Sequence, residues 1–96
     1  MNQLTHGQAQ QLGDLFQRVA DELRHARTKF PKPEATGYAL FEEVGELSQA
    51  ILQYKFEGRA TKEDIRAELV QTMTMLCRLW VDGDDSIGLE PVGSDM

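Results

Sequence analysis

The fold of this chain is decided by residues 35–83, which read ATGYALFEEVGELSQAILQYKFEGRATKEDIRAELVQTMTMLCRLWVDG. Apolar residues recur every three or four positions along this stretch, which is the spacing of an amphipathic α-helix. Gly58 interrupts the pattern, and Thr61 restarts it with a Thr-Lys-Glu-Asp string that resembles a capping box. The stretch therefore predicts two helices joined by a short turn, over residues 35–57 and residues 61–82.

A third helix precedes this pair. It is predicted over residues 5–28, where apolar side chains again follow helical spacing. Pro31 and Pro33 end it, because proline cannot donate a helical hydrogen bond and restricts the residue before it. Within the pair, Thr36 is a candidate N-cap and Gly83 is a suitable stop. No strand-like alternation competes with this pattern, so the predicted fold class is all-α, a helical bundle of three main helices.

The second helix carries two apolar stripes, and the third carries one main stripe. Two apolar flanks on one helix require two packing partners, so we expect one partner inside the chain and one in a neighbouring subunit. A chain of 96 residues buries only about two-thirds of its unfolded surface, which also favours assembly. We therefore predict a bundle completed by homo-oligomerisation, as a homodimer or homotetramer. The main stripes are Leu40, Val44, Leu47, Ile51 and Tyr54 on the second helix and Ile65, Leu69, Met73, Leu76 and Trp80 on the third; the additional stripe is Phe41, Leu52 and Phe56.

Composition limits the classes of function. Lys and Arg total 10 against 16 Asp and Glu, a formal net charge of −6, which argues against binding to nucleic acid or to an anionic membrane surface. The single cysteine, Cys77, excludes an intrachain disulfide and a zinc-type cysteine cluster. No apolar run is long enough to span a membrane, and residues 1–11 contain no signal-like apolar region. We expect a soluble, cytoplasmic protein with one domain over residues 1–83 and a flexible acidic tail over residues 84–96.

Acidic residues form a matching edge on each of the paired helices. Glu43 and Glu46 lie beside the main stripe of the second helix, and Glu68 and Gln71 take similar angular positions on the third. If the helices pack antiparallel, these four oxygen-bearing side chains converge. Converging carboxylates repel one another, so the arrangement needs a cation, and Mg²⁺ prefers oxygen ligands. The alternative is a solvated acidic face, which is the usual role of such a string on a helix.

The order and spacing of these residues resemble a known family. The strings EEVGE at residues 42–46 and ELVQ at residues 68–71 are similar to the E-E-x-x-E…E-x-x-D signature of the MazG-like all-α nucleoside triphosphate pyrophosphohydrolases. The resemblance covers residues 29–80. It implies Mg²⁺-dependent cleavage of a nucleoside or deoxynucleoside triphosphate between the α and β phosphates, giving the monophosphate and pyrophosphate, as in nucleotide-pool house-cleaning.

The resemblance also implies roles for individual residues. By position, Glu43, Glu46 and Glu68 are implied metal ligands, and Gln71 stands at the place of the family's last acidic ligand. Glu42 and Glu43 are the implied catalytic residues, with Glu42 holding a second ion or orienting the attacking water. The reaction needs charge neutralisation on the polyphosphate and a positioned water, and Mg²⁺ can supply both.

Gln71 departs from the pattern of the family. An amide oxygen can ligate Mg²⁺, but it brings no charge and cannot act as a base. We therefore expect weaker metal binding, a different number of ions or a shifted substrate. One alternative is a catalytically impaired module that still binds nucleotide or metal, and another is a plain helical interaction protein.

Phosphates and a nucleobase would need further groups. Lys55 and Arg59 are candidates to contact the β and γ phosphates, the alternative being ordinary solubilising charges beside a turn. A base pocket would be apolar with a few polar groups. Phe16 on the first helix is the candidate for that pocket, and the linker between the first two helices offers Phe30 and Lys32.

Overall fold

The structure is a computed structural model that describes residues 3–95, and within that range it contains helices and no strands. Three α-helices follow one another: α1 (His6–Lys29), α2 (Thr36–Leu52) and α3 (Lys62–Asp82). α2 continues without a break into a π-helical turn, Gln53–Glu57. α3 packs along both α1 and α2. The predicted all-α bundle of three main helices is therefore confirmed.

Local capping motifs set the ends of these helices. The hydroxyl of Thr5 accepts a hydrogen bond from the Gln8 N–H, and the Gln8 side chain accepts one from the Thr5 N–H. The predicted box of Thr61 and Asp64 is present in the same reciprocal form at the start of α3. Gly58, with φ of 65°, ends the π-helical turn as predicted. The sequence thus located the starts of α1 and α3 to within one residue.

The start of α2 differs from the prediction. Thr36 is the first residue of the helix rather than its cap, and Ala35 takes the cap position in the left-handed region, with φ of 57°. Alanine has no side-chain acceptor, so a residue from beyond α3 supplies one. The Asp84 carboxylate accepts hydrogen bonds from the N–H groups of Ala35 and Gly37, both at 3.0 Å. α2 is therefore capped by a residue that lies far from it in sequence.

Residues 83–89 form a compact turn around this carboxylate, which we call the Asp84 clasp. Asp84 is only 2% exposed and also accepts hydrogen bonds from the N–H and the hydroxyl of Ser86. The Asp85 N–H donates to the Pro33 carbonyl at 2.8 Å. The clasp thus fastens the linker, residues 30–35, to the end of α3.

The segment after the clasp is hydrogen bonded to α3 as well. The N–H groups of Val92 and Gly93 donate to the carbonyls of Leu79 and Trp80. The predicted flexibility of residues 84–96 concerns motion and stays a prediction. Residues 1, 2 and 96, which the predicted domain and tail include, lie outside the described residues.

The core enclosed by the helices is thin. Among the described residues, Val19, Ala50 and Val70 are the only buried apolar side chains. Thr74 of α3 is fully buried as well, and its hydroxyl donates to the Val70 carbonyl at 2.7 Å. This chain therefore folds around a few small side chains, while its larger apolar side chains lie elsewhere.

The main stripes of α2 and α3 stay partly open to solvent. Leu76 is 50% exposed and Trp80 is 62% exposed, although α2 and α3 pack against each other. No helix within residues 3–95 is long and apolar enough to cross a membrane. We call the two main stripes together the hairpin face, which comprises Leu40, Val44, Leu47, Ile51, Tyr54, Ile65, Leu69, Met73, Leu76 and Trp80.

We predict that Asp84→Ala lowers the thermal denaturation midpoint by about 5 °C, because it removes the acceptor for the N–H groups of Ala35 and Gly37 at the start of α2. Asp85→Ala removes an equal charge from the adjacent exposed position and should shift the midpoint by less than about 2 °C. Circular dichroism at pH 7 measures both variants. Equal shifts would show that charge, and not capping, accounts for the effect.

The same cap has a pH dependence. The Gly37 N–H and then the Ser86 hydroxyl hold the pKa of Asp84 below its ordinary value. A carboxylate with a lowered pKa stabilises the fold above its unfolded-state pKa and loses that contribution as the pH falls through the folded value. The difference in thermal denaturation midpoint between wild type and Asp84→Ala should therefore become smaller as the pH is lowered into the acid range.

Candidate functional site

Three glutamates from α2 and α3 meet where the two helices pack together. Carboxylate oxygens of Glu43, Glu46 and Glu68 lie within 4.8 Å of one another. Glu43 and Glu46 come from successive positions on one side of α2, and Glu68 comes from the facing side of α3. The structure thus brings together the three glutamates among the four residues expected to converge, and we call these three the carboxylate cluster.

A buried hydroxyl contacts the backbone of both helices at the level of the cluster. Thr72 lies one turn after Glu68 on α3 and is buried. Its hydroxyl donates to the Glu68 carbonyl at 2.8 Å and lies 3.4 Å from the Glu43 carbonyl. This one buried hydroxyl therefore lies against a backbone carbonyl of each helix, beside the carboxylates that the helices carry.

Three carboxylates this close cannot all ionise without cost. Burial raises the pKa of Glu43 to about 7, and the charges of Glu46 and Glu68 add to that effect. Burial also raises the pKa of Glu68, with the charge of Glu46 as the next cause. One carboxylate oxygen of Glu43 and one of Glu68 are buried without a hydrogen-bond partner. Such oxygens are costly unless a proton or a cation neutralises them.

The cluster has the chemistry of a site for a hard divalent cation. Carboxylate oxygens are preferred ligands of Mg²⁺, which commonly keeps several waters or substrate oxygens in its remaining positions. Glu46 is exposed, so the cluster is open to solvent on that side. Glu43, Glu46 and Glu68 are therefore the residues that could hold such an ion.

Two cavities border the carboxylate cluster. The smaller has a volume of about 360 Å³ and is lined by Glu46 and Glu68 together with Arg59. The larger has a volume of about 560 Å³ and is lined by Glu43 and Gln71. The cluster thus lies between a compartment beside the turn after α2 and another that reaches the linker and α1.

The larger cavity has an aromatic and basic wall. Phe30 and Tyr38 supply the rings, and Lys29, Lys32 and His25 supply basic groups. A cavity of this size with mixed lining matches the usual dimensions of a small-molecule site. The sequence had identified Phe30 and Lys32 for such a pocket. It missed the other three, although the i, i+4 spacing of His25 and Lys29 on α1 could have indicated a shared face.

The predicted substrate-binding residues are not gathered at one place. Arg59 lines the smaller cavity, where its guanidinium pairs with Glu57. Lys55 and Phe16 line neither of the two cavities, and Phe16 is exposed on α1. Glu42 is exposed and borders the larger cavity. The binding of substrate by Lys55, Arg59 and Phe16 stays a prediction.

Arg78 is a buried positive charge that lines the larger cavity. It is 4% exposed, donates to the Phe30 carbonyl at 2.6 Å and pairs with Asp82 at 2.8 Å. Arg27 approaches the same carboxylate at 3.2 Å. Arg78 therefore fixes the linker that forms the cavity wall, and its charge is already balanced by Asp82.

Comparison with known proteins does not assign the chain: no family model, no curated protein and no solved structure matches it. The similarity to the MazG-like enzymes therefore depends on the motif alone. The function has to be argued from the carboxylate cluster and the cavities beside it.

We predict that Glu43→Gln reduces the pH dependence of stability in metal-free protein. The pKa of Glu43 is raised to about 7 in the folded state. Its stabilising contribution is complete below the unfolded-state pKa and is lost as the pH rises through 7. The thermal denaturation midpoint of wild type should thus decrease as the pH is raised from 5.5 to 8, and the decrease should be smaller in the variant. Circular dichroism in EDTA measures both.

Glu90→Gln provides the control for this experiment, since Glu90 is an exposed glutamate outside the cluster. It should leave the pH dependence of wild type unchanged. The same pH dependence in wild type and in Glu43→Gln would contradict the repulsion that the three carboxylates imply.

Proposed function

We propose that this chain is a Mg²⁺-dependent nucleoside triphosphate pyrophosphohydrolase of the MazG-like kind, acting in the cytoplasm. It would cleave a nucleoside or deoxynucleoside triphosphate to the monophosphate and pyrophosphate, which suits nucleotide-pool house-cleaning. The observation that carries the proposal is the carboxylate cluster placed between two cavities. The order and spacing of residues 42–46 and residues 68–71 support it independently.

In this proposal the chain's own residues have distinct tasks. Glu43, Glu46 and Glu68 would hold the ion, which supplies charge neutralisation on the polyphosphate and activates water. Glu42, at the exposed border of the larger cavity, would orient the attacking water. Arg59 would bind the β and γ phosphates in the smaller cavity, after releasing Glu57.

The larger cavity would receive the nucleoside. Phe30 and Tyr38 offer faces on which a base can stack, and His25 and Thr36 offer hydrogen-bonding groups. Its border at Glu43 would bring the α-phosphate beside the carboxylate cluster. This arrangement supports a small-molecule substrate, and the net charge of −6 likewise disfavours a nucleic-acid partner.

Gln71 favours a second candidate function. It lines the larger cavity beside Glu43, where the family motif has an acidic residue. A neutral amide leaves three carboxylates to hold the ion, which weakens the attraction for a cation. A module that binds nucleotide or metal without turnover is therefore the alternative to the enzyme.

Turnover can be tested with a panel of nucleoside triphosphates and Mg²⁺, by measuring both pyrophosphate and monophosphate. Glu43→Gln and Glu46→Gln should each lower the rate at least about a hundredfold, because each removes a negatively charged ligand. Glu90→Gln is the matched control and should keep the wild-type rate. Circular dichroism should show that all three variants retain their helices.

Three results of this experiment distinguish the candidates. Release of both products supports the enzyme. No turnover, a higher midpoint with Mg²⁺ and gain of activity in Gln71→Asp would indicate the impaired module. No product and no effect of Mg²⁺ or nucleotide on thermal stability would contradict both and leave a helical interaction protein.

We also propose that the hairpin face binds a second copy of the chain. Soluble monomers rarely expose a large continuous apolar patch, and Leu76 and Trp80 are both at least half exposed here. Two helices that present one apolar surface can pack on the same two helices of another copy, which gives a four-helix bundle. This is the subunit contact that the stripes of α2 and α3 favour.

We predict that Leu76→Glu reduces the mass of the assembly, because a charge within the hairpin face opposes burial of that face. Light scattering coupled to size-exclusion chromatography measures the mass. Leu12→Glu on α1 is the control, since Leu12 is also exposed but lies outside the hairpin face. An unchanged mass in Leu76→Glu would exclude this contact.

A further inference from the structure

A second apolar surface lies on the side of α2 that faces away from α3. Phe41 precedes the buried Ala50 by nine positions, which places the two side chains on opposite sides of the helix. Phe41 is 77% exposed, Phe56 is 76% exposed and Leu52 is about half exposed. We call Phe41, Gly45, Ser48, Leu52 and Phe56 together the outer stripe.

The middle of the outer stripe is a shallow notch. A Cβ atom at Gly45 would meet nothing within 4 Å, and Ser48 is small and exposed. Phe41 projects on one side of this notch, and Leu52 and Phe56 project on the other. The stripe therefore offers both the bulky groups and the space for bulky groups that close helix packing requires.

The π-helical turn Gln53–Glu57 helps to align the stripe. In an uninterrupted α-helix, Phe56 would lie about 60° away from the line of Phe41 around the helix axis. A π-helical turn contains more residues than an α-helical turn, so each residue rotates less. Phe56 thereby comes back toward the line through Phe41 and Leu52.

We propose that the outer stripe packs antiparallel on the outer stripe of a second copy, about a two-fold axis beside Ser48. Phe41 lies seven positions before Ser48, and Phe56 lies seven positions after Gln49. An antiparallel pair therefore brings Phe41 to Phe56 of the partner subunit. By the same count, Leu52 of each copy meets the notch at Gly45 of the partner subunit.

The area of the stripe is sufficient for such a contact. Aromatic side chains bury roughly 150–250 Å² each, so Phe41 and Phe56 together with Leu52 offer on the order of 500 Å² per subunit. A two-fold contact doubles this to roughly 1,000 Å², the lower limit for a specific interface. Self-complementarity in both size and position favours a second copy over an unrelated partner.

The contact predicts the number of subunits when it is combined with the hairpin face. A subunit that uses two different two-fold contacts assembles into a closed tetramer when the two axes cross at right angles, which creates a third two-fold axis. The number four depends on the hairpin contact proposed above. The outer-stripe contact itself depends neither on that contact nor on the proposed hydrolysis.

Subunit mass and thiol cross-linking test the proposal. Phe56→Glu should halve the mass seen by light scattering, from tetramer to dimer, while Phe16→Glu, at an exposed aromatic residue of α1, should leave it unchanged. In a Cys77→Ser background, Ser48→Cys should form a covalent dimer under oxidation, because Ser48 lies beside the axis. Phe41→Cys alone should not, since each Phe41 is far from its own copy in the antiparallel register.

Each other result counts against the proposal. An unchanged mass in Phe56→Glu, or no cross-link in Ser48→Cys, would overturn the contact. Cross-linking of Phe41→Cys alone would overturn the antiparallel register. Because no measurement involves nucleotide, failure of the contact would leave the proposed hydrolysis untouched, and an inactive tetramer would leave the contact intact.

Discussion

The packing of α2 against α3 brings the carboxylates of Glu43, Glu46 and Glu68 to within 4.8 Å of one another. The other interactions of the fold have to outweigh the electrostatic repulsion between these three groups. The arginines that border the cavities do not relieve it, because Arg59 pairs with Glu57 and Arg78 pairs with Asp82. The packing of α3 against both other helices and the caps at the helix starts stabilise the fold instead. A costly arrangement of this kind is expected where function, and not stability, sets the residues.

Different parts of the chain build the carboxylate cluster and the larger cavity. The carboxylate cluster is built from two helices that are adjacent in sequence, whereas the larger cavity combines α1, the linker and both later helices. The linker cannot form a wall alone, so Arg78 binds its first carbonyl and the Asp84 clasp binds its last residues. The apolar side chains left outside this construction are those that a second copy could cover.

Local signals explain what the sequence could predict. Gly58 and the box at Thr61 determine helix ends through contacts within a few residues, and helical spacing alone fixes which glutamates share a side. Long-range contacts explain what it missed. Asp84 caps α2 from 47 to 49 positions away in sequence, so helical spacing could not show that Asp84, and not Thr36, supplies the cap. Helical spacing also identifies an apolar stripe without showing which neighbour covers it. The sequence therefore did not predict that the hairpin face would stay exposed in the single chain.

The Asp84 clasp finally bears on the order in which the chain can fold during synthesis. The first N–H groups of α2 find their acceptor only in a residue made after the whole of α3. While that residue is still inside the ribosome, the emerging linker lacks its ties at Pro33 and Ala35. The wall of the larger cavity is therefore completed only after the whole of α3 has been translated, so a nascent chain acquires its pocket late.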